Sequence, residues 1–244
     1  MAAETSKDLS MIEQSMVPEL TRRGRRSRLA LVEAAKRVFG SDGFLNARVL
    51  DIATEAGLSH GSFYTYFESK EEIFREVIDA VKVDMTRPVS TATAQEDPYE
   101  TVLRTNEQYV AGYRRNAALM ATFEEVCTFN REMAQYRASI REEYIARNSR
   151  AIRRWQALGL ADASLDPRYA AIALGAMVDR FVYIWLVLGE ELDEKVALET
   201  LTRLWIQGLG LKAPTGAGSA AVPASQRRAP GQKRSSRKGE SDGK

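Results

Sequence analysis

With 244 residues, 44% of them hydrophobic, the chain has the apolar content to bury a real core in one or two globular domains. Its 35 basic and 33 acidic residues leave a net charge of +2, which selects no partner by itself, so only the placement of charge is informative. One cysteine, Cys127, and one histidine, His60, exclude an intrachain disulfide and a His/Cys zinc cluster; a reducing cytoplasm is expected, with no metal and no cofactor.

In chain order, the opening "MAAETSKDLSMIEQSM" is too polar for a signal peptide. A flexible basic arm is expected over 1–24, and Arg22, Arg23, Arg25, Arg26 and Arg28 crowd its junction with the first helix. Such an arm either solubilises the chain or reaches a nucleic-acid backbone or minor groove. Leu31, Ala35, Val38 and Phe39 share one face of the first helix, with Gly43 as its stop. Val49, Ile52, Ala53 and Ala56 repeat the pattern in a second helix, with Asn46 as its expected cap and Gly57 as its end. Ser59 offers an N-cap to a third helix of barely two turns, and Ser69 opens a fourth, with a stripe of Ile73, Phe74, Val77, Ile78 and Val81.

Two short helices joined through Gly57 match the helix-turn-helix, whose second helix enters the DNA major groove. Phe63 and Phe67, four residues apart, are expected to pin the short helix to the core. Gly61, Tyr64 and Thr65 then share the opposite face, beside His60 and Ser62. Glycine permits close approach to the groove, and the hydroxyls of Ser62, Tyr64, Thr65 and Tyr66 suit phosphates or base edges. Lys70 adds a phosphate-seeking charge.

The segments "LVEAAKRVFGSDGF" and "VLDIATEAGLSHGSFYTYFESKEEIF", followed by a long helical remainder, resemble the TetR family of bacterial transcription regulators over about residues 25–84. The resemblance implies DNA contact at Ser59, His60, Gly61, Ser62, Tyr64, Tyr66 and Lys70. It also implies a homodimer reading a near-palindromic operator, and a C-terminal domain that binds a small effector and releases DNA. Where many members begin the second helix with Thr-Thr and carry arginine at the position of Leu50, this chain has Ala47, Arg48 and Leu50, which makes Arg48 the substitute phosphate contact.

After Met85, the polar "STATAQEDP" marks a boundary between a DNA-binding domain at 25–84 (helix-turn-helix about 48–67) and a helical domain at 85–212. Helices are expected near Pro98 to Arg115, Ala117 to Asn130, Glu132 to Leu158, Pro167 to Leu188 and Asp193 to Leu211. The fold class is therefore all-α. Asn106 in an apolar stripe marks either a ligand contact or a helix edge. Candidate ligand contacts beside it are Tyr109, Tyr113, Met120, Phe123, Glu124, Cys127, Met177 and Phe181, with ordinary core as the alternative. The run "RNSRAIRRW" reads as a solvated face. Asp179 and Arg180 interrupt the longest apolar stretch, which argues against a membrane span and suits an interface ion pair. Gly175 and Ala176 allow close approach of a partner helix, and with Asp179, Leu201, Leu204 and Trp205 they form the expected dimer interface. Residues 213–244 are expected to form a disordered basic tail.

The leading expectation is a cytoplasmic repressor that leaves its operator on binding a hydrophobic or amphipathic effector. The alternatives are a ligand-insensitive activator or architectural DNA-binding protein, and a helical enzyme. The last lacks a histidine to activate Cys127.

Overall fold

A computed structural model describes residues 21–86 and 97–211, and among these it contains nine helices and no strand. Residues 1–20 of the arm expected at 1–24, the segment 87–96 and the expected tail lie outside the described residues.

Helix α1 (Arg22–Asn46) starts earlier than the sequence suggests, because the Thr21 hydroxyl accepts from Gly24 N at 3.1 Å and caps it. The arginines expected in a flexible arm therefore sit on its first turns. Gly43, at φ 72, breaks the helical geometry where a stop is expected, and a further turn carries the chain to Asn46. Asn46 closes that turn by donating to Asp42 O and does not cap α2 (Val49–Glu55), whose cap position is Arg48. Gly57, at φ 68, ends α2 with two main-chain bonds, Leu58 N to Ala53 O and Gly57 N to Thr54 O.

The third helix, α3 (His60–Phe63), is one turn long, and Tyr66 N to Phe63 O continues it as a tighter turn. Helix α4 (Lys70–Thr86) is opened by Ser69, whose hydroxyl accepts from Glu72 N, while the Glu72 carboxylate accepts from Glu68 N. Phe39, Phe44 and Phe74 meet at 4.9–5.7 Å between ring centres and unite α1 with α4.

The remaining helices are α5 (Pro98–Arg115), α6 (Ala117–Phe129), α7 (Arg131–Ala157), α8 (Pro167–Leu186) and α9 (Glu194–Gly208). Side chains of Asp97, Asn130, Asp166 and Asp193 cap α5, α7, α8 and α9. α4 packs against both α1 and α5, and α1 lies directly on α6, so the described helices form one compact unit. The α4–α5 crossing depends on Gly112, where a Cβ would stand 2.8 Å from Met85 Cα.

Candidate DNA-reading surface and effector cavity

On the reading head, Phe63 and Phe67 are fully buried, as their spacing predicts, and the opposite face of α3 lies open. The Ser59 hydroxyl accepts from Ser62 N at 3.2 Å and lies 2.7 Å from the Ser62 hydroxyl, so both are held at the helix start. His60 and Tyr64 meet edge to face at 5.3 Å, with Tyr64 53% exposed. Gly61 has open space around it and Thr65 is exposed, while Tyr66 is half-buried against the core. These residues form a shallow polar surface with a gap at Gly61 where a phosphate or base edge can come close.

Two of the expected phosphate contacts are already engaged. Arg48 is exposed but holds Asp51 through two hydrogen bonds, at 2.9 and 3.2 Å. Lys70 is not a free charge: its ammonium donates to Phe44 O at 2.7 Å and Ala47 O at 3.0 Å. It also stands 4.5 Å over the Phe44 ring. The C-terminal end of α1 leaves carbonyls without helical partners, and a lysine opening α4 is placed to satisfy them.

A cavity of about 690 Å³ is walled by α4 to α9. Of the expected ligand contacts, Asn106, Tyr109, Met120, Phe123 and Glu124 line it. Asn106 is also tied to α9, donating to Thr202 Oγ1 at 3.1 Å. Tyr113, Cys127, Met177 and Phe181 do not line it. Tyr113 is core, its ring 5.8 Å from that of Tyr109. The Cys127 thiol donates to Met133 O, and burial pushes its pKa up. Met177 and Phe181 lie on a different face of α8 from Gly175 and Asp179, which reach the cavity by their i, i+4 spacing.

The residues expected at a dimer interface fall into different environments within this chain. Gly175, Ala176, Asp179 and Trp205 border the cavity, Leu201 is fully buried, and Leu204 is 43% exposed. Asp179 and Arg180 do not pair with each other. Asp179 accepts from Tyr109 Oη at 2.8 Å and lies 4.0 Å from Arg137, whereas Arg180 sits over the Tyr183 ring. The exposed large apolar side chains on α8 and α9 are Tyr169, Ile172, Ile184, Val196 and Leu204, with Leu188 just beyond the end of α8, and Ile172 also borders the cavity.

Sequence reasoning places α7 as a helix but misses its part in the cavity wall. Arg137, Arg141, Tyr144 and Asn148, spaced i, i+4, i+7, i+11, present one face to the cavity, and Trp155 closes it. Part of "RNSRAIRRW" is therefore cavity wall. The spacing is visible in the sequence, but its polar character hid it among solvated faces. Burial pushes the Tyr144 phenol up to about 12 and raises the Glu124 carboxyl, even though Arg137 pairs with Glu124 and pulls the other way. Tyr109 is held well above its ordinary range by burial and by the Asp179 carboxylate.

An exposed one-turn reading helix on a buried three-helix base, joined to a solvent-accessible cavity, defines a helix-turn-helix regulator with a ligand-sized pocket. Comparison with known proteins agrees. Residues 31–77 match the family described as bacterial regulatory proteins of the tetR family, and 102–209 match the C-terminal domain of the transcriptional regulator EthR. The HTH-type transcriptional regulator YfiR of Bacillus subtilis is 29% identical over 144 residues, covering 57% of this chain and 70% of that protein. EthR of Mycolicibacterium smegmatis is 25% identical over 208 residues, covering 80% and 95%. The structure of NalD, the secondary repressor of the MexAB-OprM multidrug efflux pump in Pseudomonas aeruginosa, has the same fold. Its TM-score is 0.61 at 20% identity, over 76% of this chain and 97% of that one. The chain belongs to the TetR family of bacterial transcriptional regulators.

Proposed function

We propose that this regulator is a cytoplasmic homodimeric repressor that binds a near-palindromic operator through α3 and is released by a small molecule in the cavity. The observation that carries the reading is the double role of α4. Its first residue, Lys70, clasps the reading head through Phe44 and Ala47, while Ile78, Val81, Met85 and Thr86 toward its other end are cavity wall. A 17-residue helix spans about 25 Å, so a tilt set at the cavity displaces the paired reading helices. Two readers on one duplex must keep their spacing, and a ligand favouring another spacing weakens DNA binding by linkage.

A second route supports the same reading. Phe123 lines the cavity and meets Phe74 of α4 at 6.2 Å, and the adjacent Thr122 hydroxyl donates to Phe39 O of α1. DNA contact is assigned to Ser59, His60, Gly61, Ser62, Tyr64 and Thr65, with Arg48 and Tyr66 at the margin. Pairing of protomers is assigned to the open apolar face of α8 and α9, which buries surface that water otherwise covers. The regulator reading stands ahead of an enzyme because the relatives are named as regulators and burial raises the pKa of the Cys127 thiol, opposite to the activation a nucleophile needs.

Random-site selection with the purified protein tests the reader. Dyad-symmetric sites with half-site centres about one helical turn or slightly more apart are expected. Enriched sites without dyad symmetry, or binding indifferent to sequence, would reject it. Operator affinity measured with and without any cavity ligand then tests release; an unchanged affinity favours the ligand-insensitive alternative.

A further inference from the structure

The cavity wall is electrically uneven. It includes six cationic side chains, Lys82, Arg104, Arg137, Arg141, Arg147 and Arg180, and two carboxylates, Glu124 and Asp179. Both carboxylates are already engaged: Arg137 pairs with Glu124 and approaches Asp179, to which Tyr109 also donates. Lys82 is matched from outside the wall by Glu143 at 2.9 Å. Arg141, on α7, and Arg180, on α8, both lie close enough to Glu124 to favour its charged form. Neither has a carboxylate ion-pair partner among the described residues, and Arg180 rests on an aromatic ring. The same chamber is apolar along Ile78, Val81, Phe123, Ile140 and Val178.

We infer that the effector is a single-chain amphiphile with an anionic head, its chain against the apolar wall and its head between Arg141 and Arg180. This rests on the reading of the cavity as the effector site and adds the ligand's charge and shape. A cationic head meets two guanidinium groups that have no carboxylate ion-pair partner among the described residues and finds both carboxylates occupied. A neutral head forgoes charge-assisted hydrogen bonds, which are about twice as strong as neutral ones. A volume of about 690 Å³ lies within the range of small-ligand sites, roughly 300–1,000 Å³.

The test uses the full chain and three probes of equal length, dodecanoate, dodecanol and dodecyltrimethylammonium, each below its aggregation concentration. Tryptophan fluorescence is the readout, because Trp155 and Trp205 line the cavity. Dodecanoate is expected to bind roughly tenfold or more tighter than dodecanol, with the ammonium weakest. In Arg141→Gln and in Arg180→Gln the dodecanoate advantage is expected to shrink to about threefold or less, with dodecanol affinity unchanged and folding confirmed by circular dichroism. Arg141→Lys is expected to retain part of the preference. If wild-type protein binds dodecanol or the ammonium as tightly as dodecanoate, or if neither Gln variant alters the preference, the anionic-head assignment is overturned while the cavity remains a ligand site. If none of the three probes binds, both readings fall.

Discussion

Lys70 Nζ donates to Phe44 O at 2.7 Å and stands 4.5 Å above the ring of the same residue, so one ammonium joins the first turn of α4 to the end of α1. A second bond, to Ala47 O, fixes the entry to α2. The consequence is that a residue whose position suggests DNA contact also holds the reading head to its lever. Lys70→Met should lower stability by about 1.5–3 kcal/mol, the usual worth of hydrogen bonds to a charged group. Urea unfolding of the variant measures this. A loss of operator affinity with no loss of stability would mean that Lys70 acts on phosphate alone.

Gly61 and Gly112 should separate folding from function. Around Gly61 there is open space, so Gly61→Ala should fold normally, with stability unchanged or raised by up to about 1 kcal/mol from helix propensity. It should lose operator affinity because the added methyl stands where the groove must approach. Gly112→Ala forces the backbone of α4 away, since its Cβ would lie 2.8 Å from Met85 Cα, and should cost about 1–3 kcal/mol. Thermal unfolding alongside DNA titration distinguishes the two.

Phe123→Leu should uncouple the cavity from the reading head. Phe123 touches both the chamber and Phe74, so the shorter side chain removes the ring contact while leaving an apolar wall. A stability loss of about 1–3 kcal/mol is expected, below the cost of truncation to alanine. The informative readout is the ratio of operator affinities with and without bound ligand. It should move toward one in the variant, and an unaltered ratio would locate the coupling entirely in α4.

Acid should loosen the joint between α4 and the α5–α6 corner. Asp84 accepts from Arg115 Nη2 at 2.9 Å and Nε at 3.1 Å, and from Asn116 at 3.1 Å. Arg115, opposed by some desolvation, holds the Asp84 carboxyl below its ordinary value. A depressed carboxylate stabilises the fold above the unfolded-state value, near 4, and that contribution is lost as pH falls through the folded value. Asp84→Asn should therefore be less stable than the parent at pH 7, and the difference should shrink as pH falls through the folded-state value, which lies below the ordinary one. A constant difference from pH 7 to pH 2 would show that the joint is held by shape rather than charge.

Local chemistry was legible in the sequence because each signal lies within a few residues. Thr21 is the exception that shows the rule: its capping role was overlooked, so arginines of α1 were assigned to an arm. Ser59, Gly57, Ser69, Pro98 and Pro167 mark helix ends through caps and φ preferences that need no distant partner, and Phe63 and Phe67 face the core by spacing alone. The helix-turn-helix was readable for the same reason.

Tertiary structure decided which face of each later helix meets which neighbour. The apolar faces of α8 look alike in one dimension, and nothing in the sequence shows that Gly175 and Asp179 border a cavity. Arg147 and Asn148, in "RNSRAIRRW", read as solvated because charge and polarity signal water until a cavity is seen beside them. Lys70 reads as free because its acceptors, Phe44 O and Ala47 O, are main-chain atoms, and no side-chain pattern advertises them. A helix end is written in adjacent residues, whereas a pocket exists only where several helices fail to fill the space between them.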